Sequence, residues 1–557
     1  MYGRDSVLQR RAILLVSIMI ISSIGTLGTN ASITPKTTTI WSGSVFLADG
    51  YNVETGQILI VQPGTNIILG NDEEIIIDGR ISIEGTITSP VVLDSINGNH
   101  NGIVFNATSN GLNSVIDNLT INDAKYGITI YGSNPVITNL IVVNADNVAV
   151  DLFESATPYI TNLTIEGGGQ DVHSISTSWR YGVGLSVGVY STPVVNGANI
   201  NGLITRGINF WGNSGGLFSN INISNISGAT ISVSAGIWVE DSIPLMIDSR
   251  VNRCDNGVFV RHQTSGWVTR PSFSGIVVEN SQYRGIMVEQ YNHSQYFNLP
   301  TNAIFSDLEI RGTGGPNAKT PGLGYAAFDV NTSGVSIDGA LIEDNPVVGF
   351  RAYMTDSSTR IENATFLNNG KESPSTPMND RAGLFLRSAS WSTKGPAIIN
   401  NLIVNNSTGP GVLMMKGGAI GNDWLVSGNG GNGIDLREFH PKLDSIVSKN
   451  NEFNGIYVFD SSNVEISNAK TEGNGIGQSD PEKGAGIFFH ESNTVMSGGK
   501  NTSCTFCTST GDQHGILIRD SIDLQLNSII VQDSISPSSL DIDNSGIVYF
   551  GTVNFNN

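Results

Sequence analysis

Pro410-Gly-Val-Leu-Met414, Asn432-Gly-Ile-Asp-Leu436 and Asn454-Gly-Ile-Tyr-Val458 repeat one short phrase, with glycines 22 residues apart. In each, a glycine precedes two apolar residues separated by one position. The phrase recurs outward from this region in both directions. Asn101-Gly-Ile-Val-Phe105, Ala235-Gly-Ile-Trp-Val239 and Asn256-Gly-Val-Phe-Val260 precede it, and Ala485-Gly-Ile-Phe-Phe489, His514-Gly-Ile-Leu-Ile518 and Ser545-Gly-Ile-Val-Tyr549 follow. Side chains at i and i+2 of a strand share a face, so each phrase reads as a short strand with one apolar face. A single strand this short cannot bury that face. Stacked repeats can, by lining a continuous lumen.

A second phrase alternates with the first: Ile116-Asp-Asn-Leu-Thr-Ile121, Ile160-Thr-Asn-Leu-Thr-Ile165 and Ile466-Ser-Asn-Ala469. Asparagine tolerates the left-handed backbone region and bonds locally at turns. It therefore predicts a corner, with side chains that can also bond their equivalents one coil away. The glycines are read as a second corner, where φ can be positive. No 3.6-residue pattern appears beyond the N-terminal segment, so helices should be rare.

These two alternating phrases resemble the parallel β-helix repeat of pectate-lyase-like proteins, over about residues 58–557. The resemblance implies an all-β chain folded as a right-handed parallel β-helix solenoid. Three regions are expected. Residues 1–31 form a signal peptide or an N-terminal anchor, 32–100 an N-terminal capping module with the first coils, and 101–557 the repeats. The family implies no single activity, because it spans polysaccharide lyases, glycosidases, epimerases, tailspikes and adhesins.

The export signal rests on Arg10 and Arg11 before the apolar run Ala12–Ile24, with Thr29 and Ala31 as small residues at a cleavage position. The run is short for a membrane span of about 20 residues. An extracellular or cell-surface location is expected, with an uncleaved anchor as the alternative. The net charge of −20 excludes nucleic acid as a partner, since phosphates require a basic surface. Three cysteines cannot make a disulfide framework. Cys504 and Cys507 are read as a small loop disulfide, Cys254 as a buried apolar residue, and a zinc site lacks its second cysteine pair.

Longer intervals between phrases mark insertions at Glu166–Arg180, Arg311–Gly324, Gly370–Arg381, Gly473–Gly484 and Lys500–Gln513, rich in loop-forming residues. All five are expected at one corner of the coil.

Two positions after the glycine, the outward side chain is often large and apolar: Trp238, Phe259, Met287, Phe385, Tyr457 and Phe488, with Leu413 and Leu517. This file reads as a ribbon that binds sugar rings or a surface protein, the alternative being that insertion loops fold over it. Beside it, Asp435, Arg437, His490 and Arg519 are the candidates for catalysis. A lyase needs a base beside a uronate and a cation on its carboxylate; a glycosidase needs two carboxylates. A solvated charge ladder is the simpler reading. The polygalacturonase-type Asn-Thr-Asp and Asp-Asp motifs and the pectate-lyase Arg-x-Pro-x-x-Arg are absent. Asp541 and Asp543 could hold Ca²⁺; no other metal and no cofactor is expected.

The reading favours a non-catalytic binder of polysaccharide or of a cell-surface protein. The alternatives are a polysaccharide lyase or glycoside hydrolase with an atypical site, and a structural spacer. The last strand precedes only two asparagines, which predicts an end-to-end or downstream-domain contact at the C-terminal coil.

Overall fold

The computed structural model describes residues 37–169, 181–228, 234–263, 267–290, 302–314, 325–353, 359–370, 381–387, 396–480, 482–492, 502–536, 539–546 and 548–556. The N-terminal apolar run lies outside the described residues. Within them the chain is a right-handed parallel β-helix. Strands alternate between two parallel sheets, and each pairs with its counterpart one coil away. The one helical element among the described residues is a 3₁₀ turn, Ala107–Ser109. The strands from Thr37 to Ser95 already belong to the same two sheets, in register with the coils that follow. Among the described residues no helix is long and apolar enough to cross a membrane.

The first sheet, here the bent sheet, carries the asparagine phrase. Asn118, Asn139, Asn162, Asn363 and Asn401 stand mid-strand, and Asn468 between the strands Glu465–Ser467 and Lys470–Glu472, all with φ between 49° and 55°. Each folds its strand through a corner without leaving the sheet. Five residues on comes a second left-handed corner, at Asp123, Asn144, Gly167, Asn368, Asn406 and Gly473. A third follows the glycine phrase, at Gly132, Gly212, Asp241, Glu438, Asp460 and Asp520. Each corner costs an ordinary residue about 1–2 kcal/mol, which is why Asn, Asp and Gly crowd there. The expected amide contacts between coils form in part. Asn162 Nδ2 donates to Asn139 Oδ1 at 3.1 Å, and Asn401 Nδ2 to Asn363 Oδ1 at 2.7 Å.

The second sheet carries the glycine phrase, and here the structure corrects the expectation. These glycines do not form a corner; of those named above, only Gly102 has positive φ. They are needed because the next coil approaches too closely. A Cβ on Gly207 would lie 2.5 Å from the Gly236 carbonyl oxygen, and one on Gly257 2.4 Å from that of Gly285. Ser545–Tyr549 is a further correction. Val548–Phe550 joins the bent sheet, and Leu540–Asp543 takes the place expected for that phrase.

The lumen is filled by the two apolar positions after each glycine and by three inward positions of the bent sheet. Ile237, Val239, Ile434, Leu436, Ile116, Leu119 and Ile121 are all buried. At roughly 25 cal/mol per Å² of apolar area, these files supply the main driving force for stacking. Cys504 and Cys507 lie within this lumen, in register with Ile466 and Ala469 of the coil before. Their disulfide spans the left-handed corner at Phe506. The stretch Lys500–Gln513 is not the expected loop insertion: it holds the strands Ser503–Thr505 and Thr508–Thr510 and forms a rung. Most of the insertions at 166–180, 311–324 and 370–381 lies outside the described residues. Burial pushes the Cys254 thiol up to about 12, so it stays protonated.

A polar seam runs inside this apolar lumen. Immediately after the second corner, early coils carry Ala124, Ala145, Ile226 and Cys254, all buried. Later coils place Asn345, Asn369, Ser407, Asn429, Asn451, Asn474 and Asp512 there, also buried. Asn429 Nδ2 donates to Asn451 Oδ1 at 2.9 Å, Asn451 Nδ2 to Asn474 Oδ1 at 2.8 Å, and Asn474 Nδ2 to Asp512 Oδ1 at 2.8 Å. Every amide points the same way, and the carboxylate ends the line as a pure acceptor. Ser509 and Thr471 hydroxyls bond its other oxygen.

At the far end, Leu540–Asp543, Val548–Phe550 and Val553–Asn556 pair with the coil before them. Tyr549 and Phe550 are exposed there.

Candidate functional site

The outer face of the glycine sheet holds every side chain that the sequence marks for function. Parallel register aligns the outward positions in one file, with Arg437, His490 and Arg519 in the file beside it. Asn209 neighbours Trp238, then come Phe259, Met287, Asp329, Arg351, Phe385, Leu413, Asp435, Tyr457, Phe488 and Leu517.

The file is continuous, but it is not an exposed ribbon. Trp238 is 1% exposed, Phe259 3% and Met287 5%, while Phe385 and Phe488 are each 1%. Only Tyr457 is part-exposed. The apolar members form satellite cores. Trp238 and Phe259 stack at 4.3 Å, Phe385 and Leu413 group together, and Phe488 packs with Leu517 and Tyr457. The physical reason lies in the flanking files. The Arg206 guanidinium sits 3.9 Å from the Trp238 ring centroid, and that of Arg261 5.0 Å from both Trp238 and Phe259. Cations over aromatic faces shield what would otherwise be a large apolar patch. Arg206 is so enclosed that burial lowers its pKa to about 9. Between the satellite cores the file turns ionic, where Arg351 binds Asp329 through contacts of 3.0 and 2.6 Å and Arg284 joins at 3.1 Å.

The catalytic candidates fall into three settings. Asp435 is fully buried and bound by Arg437 Nε at 2.7 Å, Arg437 Nη2 at 3.0 Å and Asn432 Nδ2 at 2.9 Å. The Asp435 bond raises the Arg437 pKa further. His490 Nδ1 lies 3.1 Å from the Tyr457 hydroxyl, and its ring stacks on Phe488 at 5.3 Å. Burial, then the Asp435 charge, holds the Tyr457 phenol well above its ordinary range. The phenol therefore stays neutral, sharing one hydrogen bond with His490 Nδ1. Arg519 is held by Asp541 at 2.5 Å and reaches Asp543 at 4.0 Å. Both guanidinium groups thus already face carboxylates, and neither is left over for a uronate. Asp541 and Asp543, the Ca²⁺ candidates, both face Arg519. Among the described residues no group of three or more His, Cys, Asp and Glu side chains is placed to hold a metal ion.

The open part of this face lies at its N-terminal end, where sequence reading marked nothing. A cleft of about 450 Å³ is lined by Glu74, Asn101, Tyr126, Tyr131, Asp151 and Phe153, among others. Tyr131 and Phe153 occupy equivalent positions in successive coils and stack at 5.5 Å with 15° between their planes. Trp211 meets Phe153 edge-on at 5.8 Å. Asp151 stands in the same outward file as Thr129, at the cleft floor, and is buried. Burial, then the neighbouring Glu73, raises the Glu74 pKa. The Tyr131 phenol is raised by burial and then by Asp151, Glu154, Tyr126 and Glu74. The signal was available in the sequence: Tyr131 and Phe153 both close their strands two residues beyond the outward file. Tyr131 shares the file of Arg437, His490 and Arg519, but Phe153 follows a phrase with Ala149 in place of the glycine, so only register reveals that it falls beside Tyr131.

Comparison with known proteins bears on the fold over part of the chain. The family described as right handed beta helix region matches residues 242–438. No curated protein matches the chain. Among solved structures, the alginate lyase from Paenibacillus sp. aligns at 15% identity, covering 50% of this chain and 93% of that one, with a TM-score of 0.31. The N-terminal fragment of bacteriophage Phi29 gene product 12 aligns at 12% identity, over 89% and 88%, with a TM-score of 0.35. A tailspike mutant of E. coli bacteriophage HK620, solved with a hexasaccharide, aligns at 9% identity over 98% and 76%, with a TM-score of 0.24. At these scores the likenesses say nothing of activity.

Proposed function

We propose, on the premise that the chain is a right-handed parallel β-helix, that it is a secreted or cell-surface protein that binds a polysaccharide on the outer face of its glycine sheet without transforming it. The observation that carries this reading is the cleft at Tyr131 and Phe153. Two stacked rings beside carboxylate and amide groups offer an apolar platform and hydrogen-bond acceptors together, as a sugar ring requires. Ligand sites are typically concave, with aromatic walls and a few polar groups. The balanced ion pairs at Arg437 and Arg519 support the non-catalytic half of the reading, because a transition state would find no free cation there.

The test is a panel of soluble polysaccharides, measured for binding by calorimetry and for cleavage by reducing ends and absorbance at 235 nm. Binding without cleavage, weakened about tenfold or more by Tyr131→Ala, is the expected result. Cleavage that is lost in His490→Ala or Arg437→Ala would replace the binder with a lyase or hydrolase. No binding by any glycan would leave the spacer reading in its place.

A further inference from the structure

The outer face of the bent sheet carries a long file of its own, and this one is uncovered. In the limb ahead of the asparagine corner, register stacks Val136, Tyr159, Val194, Leu217 and Leu245, then Ser272 and Ile304. Val136 and Tyr159 are 40% and 43% exposed, and the others are part-exposed. Two residues on, a parallel file runs from Thr138 through Thr161, Asn196 and Ser219 to Ser306. Over these seven coils neither file holds a charged residue. Single exposed apolar side chains need no explanation, but five in register form a patch of the kind that marks a contact surface.

The charge of the chain selects what can cover this patch. At −20, two copies repel each other over most of their surfaces. The uncharged face is where they can meet without opposing like charges. Seven coils at about 4.8 Å make it roughly 30 Å long. Each coil offers two outward residues and one at each rim, which reaches the roughly 20–30 residues a side of a stable interface. Two orientations bring such faces together about a two-fold axis. With the solenoids parallel, the apolar file of each copy lies on the hydroxyl and amide file of the other. With the solenoids antiparallel, each file lies on its own counterpart, so apolar meets apolar.

We infer that this face of the bent sheet docks a second copy of the chain, as an antiparallel two-fold dimer centred on Leu217. Val194 then faces the partner's Leu245, and Thr138 the partner's Ser306. The exposed rim charges Arg270, Asp248 and Asp307 fall opposite the partner's Thr157, Gly197 and Asn139, none of which is charged. Asp117 and Asp338 stand one coil beyond each end of the uncharged file. They would oppose each other across the interface, so they bound the contact. The outer face of the glycine sheet stays free, and the dimer does not depend on glycan binding there. Self-repulsion weakens as salt rises, so association strengthens.

The experiment is sedimentation equilibrium of the full chain at micromolar concentration, where the wild type runs at twice its chain mass of 59.2 kDa. Leu217→Glu sets two carboxylates face to face at the axis and raises the dissociation constant about 100-fold or more. Tyr159→Glu, at a more exposed position of the same file, repeats the test should Leu217→Glu fail to fold. The control is Ile420→Glu, which adds the same charge to the same file beyond Arg360, outside the uncharged coils, and leaves the dimer intact. A short bismaleimide joins Thr138→Cys to Ser306→Cys when the two variants are mixed and joins neither to itself; no cross-link overturns the antiparallel placement. A monomer throughout, a dimer that survives both glutamates, or equal loss in Ile420→Glu overturns the inference. A monomer that holds an uncharged glycan through Tyr159 overturns it too, and assigns the face to carbohydrate.

Discussion

Replacing Asn451 with alanine should cost far more than its size suggests. The side chain is buried and makes four contacts. Its oxygen accepts from Asn429 N at 3.1 Å and Asn429 Nδ2 at 2.9 Å. Its amide donates to Asn474 Oδ1 at 2.8 Å and Ser448 Oγ at 3.1 Å. Two of the partners recover. Asn474 Oδ1 keeps the Asn451 backbone N–H at 3.1 Å, and the Ser448 hydroxyl keeps the Gly455 carbonyl at 2.7 Å. The two Asn429 donors do not recover, and water has no access to them. A stranded buried donor costs about 1–3 kcal/mol, so the loss is about 2–6 kcal/mol. The control is Asn162→Ala at an exposed left-handed corner, which loses about 1–2 kcal/mol of conformational preference and little else. Urea unfolding gives the two values, and amide exchange at residue 429 should accelerate in the first variant alone. Solenoids unfold by coils, so the exchange measurement localises the loss. A cost below about 0.5 kcal/mol for Asn451→Ala would show that the seam is not a hydrogen-bonded unit.

Other outcomes follow from the same geometry. Trp238→Ala should destabilise by about 3–5 kcal/mol in thermal unfolding, since the ring is core; glycan binding by the folded fraction should be unchanged, and a stable variant with lost binding would restore the ribbon reading. Gly207→Ala should lower the melting temperature sharply, because the added methyl meets the Gly236 carbonyl oxygen at 2.5 Å; wild-type stability would refute the close-approach account of the repeat glycines. His100 is buried, and its pKa falls below the ordinary 6.5. The unfolded chain therefore binds that proton more readily, so the histidine's share of stability holds above pH 6.5 and is lost as pH falls below it. A His100→Asn variant should show a flatter stability profile below pH 6.5, and an unchanged slope would count against the assignment.

The repeat was readable because each coil states it twice, once in the glycine phrase and once in the asparagine phrase. Lumen positions such as Ile237 and Val239 follow from alternation alone. What glycine does there does not follow, since contact with the next coil depends on how closely two backbones approach. The burial of Trp238 was hidden for a similar reason. Alternation assigns a side chain to the outer face, but Arg206 and Arg261 must be placed before that face is known to be covered. The catalytic candidates were legible as neighbours, not as partners: Asp435 and Arg437 lie two apart on one strand and neutralise each other. The cleft joins residues of several coils, and only register brings Tyr131 onto Phe153. The inner seam is not legible in the sequence because its asparagines look like the corner asparagines beside them. Asn368 turns the chain, while Asn369 enters the lumen.

The one-way amide line from Asn429 to Asp512 also limits how the protein can change length. Where the lumen file is Ala124, Ala145 or Ile226, an extra coil of similar sequence meets the same apolar surroundings above and below. Coils there can be gained or lost one at a time. Between Asn429 and Asp512, a new coil must bring an amide, facing the same way, or it leaves one neighbour with a donor and the other with an acceptor. The direction ends at a carboxylate, so a copy of the Asp512 coil placed earlier would set an acceptor where the next coil needs a donor. The stretch with an apolar file is therefore extendable by coils like its own, and the stretch from Asn429 to Asp512 only by coils that carry an asparagine at this position.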